Sequence, residues 1–413
     1  MKIANAQGFW GDSQLAPKEL VKQVKDLDYL TLEYLAEMSL GIMAIQMEKD
    51  PNAGYAKDFL QVVEDLKDTK VRIVTNAGGL NPRACGKEVA KILGGKKKIA
   101  VITGDEVEST AVCSRAYLGA QPIALALAKG ADIVITGRCC DPSLTVGPCV
   151  HEFGWGWNEW NKLAGATLAG HLIECGTQVT GGMSTHWLEI ENPYQIGYPI
   201  AEIHSDGSFV ITKPEESGGR VSIETVKEQL LYEIEDPDNY LSPDVILSLL
   251  SVKLENVGKD RIKVTGAIGK PPPDTLKVAE IHRSGWKVEG MVSIFGANAV
   301  QKAKICADIL LERLRKCGFE VDRSCVECIG AGDIVPGVIP RNAEIAECML
   351  RIAIQHQNPE PLFVFAKEIA SLVSSGPQGV TGYTHARPKV RPHFTFIPNL
   401  ITKEKIKPTV EFI

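Results

Sequence analysis

Six residues, Ala131-Asp132-Ile133-Val134-Ile135-Thr136, constrain the fold of this chain more than any other stretch. A β-branched run that stops at a glycine reads as a strand buried on both faces, the pattern of a parallel sheet covered by helices. The segment that follows, Gly137-Arg138-Cys139-Cys140-Asp141-Pro142-Ser143, puts a cation, an acid and a helix start in one turn. Asp141 fits the N-cap position and Pro142 the first helical position. In open α/β sheets, ligands collect beyond the carboxyl ends of the strands. Further along, His171, Glu174 and Cys175 fall within about one helical turn of each other. The active site is expected between these two segments.

The chain before this stretch alternates apolar runs with amphipathic ones. Strands are expected at Lys2 to Ala6, Asp28 to Leu32 (with Glu33 at its end), Val71 to Thr75 and Ile99 to Thr103. Helices are expected at Pro17 to Lys25, Leu35 to Met47, Tyr55 to Leu66, Asn81 to Leu93 and Gly119 to Lys129. This βαβα order predicts an α/β fold, a parallel-sheet lobe with helices on both faces, over residues 1–196. Around residue 197 the texture changes. Ile200 to His204 and Ser208 to Thr212 flank Ser205-Asp206-Gly207, a hairpin signal, and several more strands precede a long helix from Asn298 to Lys316. A second α+β lobe is therefore expected over 197–330. Two helices, Ala343 to Gln355 and Pro361 to Ser374, and an extended proline-containing arm would complete 331–413.

Composition narrows the function. A formal net charge of −6 over 413 residues, with only short basic runs, argues against a nucleic-acid partner. No run approaches the length of a membrane span, and residue 1 opens no signal-peptide pattern. Eleven cysteines, several inside apolar elements, point to reduced thiols and a cytoplasmic setting. Cys325-x-x-Cys328 is a lone pair that reads as core rather than as a metal site. The tryptophans at 155, 157 and 160 read as a cover over the sheet edge, as a subunit contact, or as a pocket wall. No GxGxxG or GxxxxGK[ST] loop is present, so the chain carries no NAD, FAD or ATP motif.

Four loops at strand ends should share one edge: Gly8 to Ser13, Asn76 to Pro82, Gly104-Asp105, and Gly137 to Ser143. Arg138 suits a carboxylate or phosphate, or else an internal pair with Asp141. Asp141 is either a plain N-cap or an acid/base or metal ligand. His171 and Glu174, at i and i+3, could share a proton or bind a divalent metal. Asp12, on the same edge, could complete an oxygen-rich site for Mg, Mn or Zn with Asp141 and Glu174. Asn76 and Asn81, with the amides of Gly78 and Gly79, could hold an anionic ligand together with Ser143. Cys175 reads as packed, and His385 and Arg387 would join only if the tail folds over the pocket.

A set of ordered motifs carries a resemblance. Gly11-Asp12, Asp28-Tyr29-Leu30, Asn76-Ala77-Gly78-Gly79-Leu80-Asn81-Pro82, Ile135-Thr136-Gly137-Arg138 and Asp141-Pro142-Ser143 occur in that order. His151-Glu152-Phe153-Gly154-Trp155, Gly170-His171-Leu172-Ile173-Glu174-Cys175-Gly176, Tyr198-Pro199-Ile200-Ala201-Glu202 and Pro273-Asp274-Thr275 continue it. Over residues 3 to 385 the chain resembles the acyclic terpene utilisation protein AtuA family. The resemblance implies a catabolic setting, named for a pathway that degrades citronellol and geraniol as coenzyme A thioesters. Longer members carry an additional ferredoxin-like domain. This chain reads as too short to hold one, so a small ferredoxin-like companion subunit is expected in a homo- or hetero-oligomer. Cys139 and Cys140 stand where the family pattern favours small apolar residues.

With no redox or nucleotide fingerprint, proton chemistry beside a carboxylate is the natural expectation. The chain reads as a lyase, a hydratase, dehydratase or C–C lyase, acting on a small carboxylic acid or acyl-CoA through an enolate. An isomerase using the same chemistry is the alternative enzyme. A non-catalytic subunit that binds an acyl thioester or scaffolds a partner is the alternative outside enzymes.

Overall fold

The computed structural model describes residues 1–340, 344–382 and 387–413. They form two compact units, Met1–Ile281 with Phe396–Ile413, and His282–Thr395.

The first unit opens as the alternation of patterns requires. Strand β1 (Lys2–Asn5) leads to α1 (Ala16–Gln23), β2 (Tyr29–Leu32), α2 (Glu37–Lys49) and α3 (Asp58–Leu66). Then come β3 (Arg72–Thr75), α4 (Pro82–Leu93), β4 (Ile99–Thr103), β5 (Cys113–Ala116), α5 (Gln121–Ala128) and β6 (Ile133–Thr136). Helices α6 (Ser143–Phe153) and α7 (Trp160–Glu174) follow, then the hairpin β7 (Ile200–Ile203) and β8 (Phe209–Thr212), and α8 (Ile223–Leu231). Short strands β9 (Tyr240–Leu241) and β10 (Ile246–Ser248) precede β11 (Lys253–Gly258), β12 (Arg261–Thr265) and β13 (Ile268–Lys270).

Strands β1, β2, β3, β6 and β4 lie side by side in that order, all parallel, with Ile73 and Ile99 both opposite Ile133. All four residues of β6 are buried, as its β-branched run demands. On the β1 edge the sheet is extended by antiparallel β7, β8, β12 and β11. The hairpin expected to open a second lobe therefore belongs to the first sheet. Ile200 and Ala201 find their partners on β1 because their apolar faces need that core. Helix α7 is buried from Leu163 to Ile173, since its small and apolar residues run all the way round it. Helix α6 begins at Ser143, and the Asp141 side chain makes no capping hydrogen bond. The expected N-cap role is replaced by an ion pair described below.

Strand β14 (Thr275–Phe295) starts in the first unit and continues into the second. The second unit then has α9 (Ala299–Lys316), β15 (Arg323–Ile329), β16 (Glu347–His356), α10 (Glu360–Ser375) and β17 (Val380–Gly382). The sheet order is β15-β16-β14-β17, with every pairing antiparallel. This βαββαβ succession is the ferredoxin-like, split-βαβ arrangement. Two expectations change here. The segment read as a helix over 343–355 (Ala343 itself lies outside the described residues) is β16. Its Cys348, Leu350, Ile352 and Ile354 alternate inward, toward α9 and α10. The chain also holds a ferredoxin-like unit of its own, over His282–Thr395, although it read as too short for one.

The tail is regular rather than a loose arm. Strand β18 (Arg391–Thr402) returns to the first unit, and β19 (Thr409–Phe412) pairs antiparallel with β4 at the sheet edge. Its prolines fall where a strand tolerates them, near an end or on an edge. The units thus divide at 281/282 and 395/396, rather than at the expected 196 and 330, because hydrogen bonding across the sheet gathers segments far apart in sequence. No helix among the described residues is long and apolar enough to cross a membrane.

Candidate active site

The parallel strands deliver their last residues to one edge. Asn5 ends β1, Glu33 follows β2, Asn76 follows β3, and Arg138 with Asp141 follow β6. The Asn5 side-chain amide donates to the carbonyls of Ile173 and Glu174, both at 2.8 Å. It helps satisfy the carbonyl end of α7, where the Cys175 amide also reaches Ile173 O, and so fixes Glu174 against the sheet. Thr31 Oγ1 donates to Ala4 O at 3.2 Å and to Asn5 Oδ1 at 3.2 Å, orienting that amide.

Asn5, Thr31, Glu33, Asp141, Gly170 and Glu174 surround a small cavity of about 10 Å³, room for about one water molecule. The turn bearing Arg138 and the helix bearing His171 therefore share one site. Their meeting depends on Gly170: a Cβ there would come within 2.8 Å of the Pro142 Cα, so only glycine lets α7 approach the start of α6 this closely.

Three carboxylates face this space. Glu33 is pinned through one oxygen, Oε1, which accepts from Asn76 Nδ2 and from the Leu35 amide at 2.9 Å. Its other oxygen, Oε2, is buried without a hydrogen-bond partner. Glu174 presents Oε1 to His171 Nδ1 at 3.1 Å, and its Oε2 is also buried without a partner. Asp141 Oδ1 lies 2.8 Å from Arg138 Nη2. Burial, reinforced by the charge of Asp141, pushes both Glu33 and Glu174 well above the ordinary carboxylate range. Burial raises Asp141 too, but the Arg138 guanidinium beside it opposes the rise. Burial lowers His171, whose Nε2 is unpartnered and whose ring lies 5.6 Å from that of Tyr240. The three side chains are 6%, 14% and 32% exposed for Glu33, Glu174 and Asp141, in that order. Burial thus favours the neutral acid most strongly at Glu33 and Glu174, while the more exposed Asp141 alone has a guanidinium hydrogen-bonded to it to favour its charge.

Arg138 is 2% exposed and already committed. Besides Asp141, its Nη1 donates to Leu35 O at 2.6 Å, and its guanidinium stacks 4.0 Å from the centroid of the Tyr117 ring. An incoming carboxylate would have to displace Asp141. Ser143 Oγ donates to Asp244 Oδ2 at 2.6 Å. Asn76 Oδ1 accepts the Tyr34 amide at 2.7 Å, so this residue positions Glu33. Asn81 caps α4 by accepting from the Ala84 amide and donates to the carbonyls of Pro51 and Ala53. Gly78 and Gly79 sit tight against Thr136 O and Gly54 O, with Gly79 in the left-handed region at φ +54. Asp12 turns its Oδ2 to the Gly8 amide at 2.7 Å, within its own loop. Among the described residues no three of His, Cys, Asp and Glu are grouped in a geometry that could hold a metal ion. Cys175 is raised by burial, as a packed thiol would be. His385 lies outside the described residues, and Arg387 belongs to the second unit. Sequence reasoning passed over Glu33 and Asn5. The available signal for Glu33 was its place, an acid just past a buried strand on the edge where the other loops converge.

An open mixed sheet, parallel at its centre, with an acid-lined cavity beyond its strand ends defines an α/β protein with a buried carboxylate site. The chain belongs to the acyclic terpene utilisation family AtuA, whose family model matches residues 1–111 and 106–412. That family is one of catabolic, acyclic terpene utilisation proteins. No curated protein shows significant similarity to the chain. No solved structure shows it either.

Proposed function

We propose that this protein is a catabolic lyase, a hydratase/dehydratase or C–C lyase, acting on a small carboxylic acid or acyl-CoA through an enolate. One observation carries the reading: Glu33, Asp141 and Glu174 share a small cavity in which two carboxyl oxygens have no partner. Buried acids held apart in protonation state are how one site supplies both acid and base near neutral pH.

Each carboxyl has its own task. Glu33 accepts two hydrogen bonds on Oε1, so its proton sits on Oε2, facing the cavity. A neutral carboxylic acid so placed donates to a developing enolate oxygen. Asp141, kept ionised by Arg138, removes the proton α to the carbonyl. Glu174 then delivers its proton to the β-hydroxyl, the C–O bond breaks with its electrons on oxygen, and water departs. The site is reset when the proton taken up by Asp141 passes to Glu174 as the product water leaves, while His171 Nδ1, against Glu174 Oε1, holds that carboxyl in place. Run backwards, the same steps hydrate an alkene conjugated to the carbonyl. The free thiols of all eleven cysteines suit a reducing cytoplasm.

The test is turnover on a panel of 3-hydroxy acids and their thioesters. Asp141→Asn and Glu174→Gln should each lose about 10²- to 10⁴-fold in rate, the usual worth of a positioned acid or base. Full activity in both variants would remove the assignment.

A further inference from the structure

If Arg138 is spent on Asp141 and the cavity wall is acidic, an anionic substrate needs another cation. Lys277, on the first part of β14, meets that need. The Tyr117 amide donates to Lys277 O at 2.9 Å, and the Leu118 amide donates to Arg138 O at 3.2 Å. Tyr117 is thereby stitched between the catalytic turn and β14. Its ring carries the Arg138 guanidinium at 4.0 Å and the Lys277 ammonium at 4.7 Å from the centroid. The two cations are therefore no farther apart than those two distances together. Lys277 is 47% exposed, whereas Arg138 is dry.

The partner Lys277 has now is one it can release. Its ammonium lies 3.3 Å from Glu37 Oε1, in a pair half open to solvent, and such pairs contribute little. Glu37 also accepts from the Tyr117 hydroxyl at 2.7 Å, so its carboxylate keeps a donor when the ammonium turns away. Phe396, with its ring 5.5 Å from the ammonium, gives that position a second aromatic wall.

Resting on the lyase reading, we infer that Lys277 anchors a second carboxylate of the substrate, which makes the substrate class a short hydroxy-dicarboxylate or the unsaturated dicarboxylate it yields. One carboxyl group forms the enolate against Glu33 and Asp141, and the other replaces Glu37 on Lys277. The first carboxyl sits at Asp141, itself 2.8 Å from Arg138, so the bound on the two cations also limits the span to Lys277 and favours a four- or five-carbon diacid over a long chain.

Calorimetric titration with fumarate and malate, and with crotonate as the one-carboxylate control, tests this on the full chain. Lys277→Met should weaken fumarate binding about tenfold or more, as expected for losing a charged partner. Lys277→Arg should stay within a few-fold of the native chain, and crotonate binding should be unmoved by either change. The anchor is overturned if fumarate binds Lys277→Met as well as the native chain, binds no tighter than crotonate, or does not bind at millimolar concentration. Glu174→Gln separates the two ideas. Absence of malate turnover in the native chain, or turnover undiminished in Glu174→Gln, with fumarate binding still dependent on Lys277, removes the lyase or its Glu174 assignment and leaves the anchor. Turnover that is lost with Glu174 while binding ignores Lys277 does the reverse.

Discussion

Glu174 has one oxygen on an imidazole and the other on nothing, and that imbalance is measurable without any substrate. Its folded-state pKa lies above its ordinary value of 4.5. The native state therefore holds this proton more tightly than the unfolded chain does. The resulting stability is complete below the ordinary carboxylate range and is lost as pH rises toward the folded pKa. Gln mimics the neutral acid and suffers no such loss. Glu174→Gln should match the native protein near pH 4 in urea unfolding and exceed it by about 1 kcal/mol or more near pH 8, as relief of a buried charge. Parallel stability profiles across that range would show that Glu174 is not held neutral. Glu33 has the same sign of shift, but its Oε1 anchors Asn76 and the Leu35 amide. At Glu33, loss of those bonds would blur the comparison, so Glu174 is the cleaner probe.

At the scale of elements, the site is a matter of how close α7 comes to the start of α6. The closeness is set by a glycine whose virtue is its size, since its place is ordinary helix interior. Gly170→Ala would push the Pro142 turn away from α7, separating Asp141 from Glu174. It should cost about 1–3 kcal/mol, the usual penalty of forcing a methyl into a packed interface, and should lower turnover as well. An alanine variant with native stability and native rate would mean the two helices have slack. The same packing explains the buried pattern of α7 and the double duty of Asn5, which closes the helix and orients its last acid.

For the whole molecule, the last strand completes the first sheet. β19 covers the edge of β4, and Arg83 pairs with Glu411 across that join. Ending the chain after Lys407 should expose β4, lower the melting temperature by roughly 5 °C and promote aggregation on heating, because an uncovered strand edge recruits other chains. Unchanged melting and scattering would make β19 dispensable. The sequence by itself determined the local elements: the β-branched run of β6, the cap at Asn81, the glycine-turn hairpin after Ile200, and the helix carrying His171 and Glu174. These follow from near-neighbour sterics and hydrogen bonding, which one stretch of chain contains in full. It also pointed to the edge where Arg138, Asp141 and Glu174 would meet. Only the tertiary structure decided that 347–356 is a strand, since alternate burial between β14 and β15 outweighs its helical composition. Only the tertiary structure, likewise, turned Arg138 inward to Asp141, brought in Glu33 and Asn5, and set Lys277 beside Tyr117. Those outcomes depend on which distant groups lose water together, and a linear sequence does not state that.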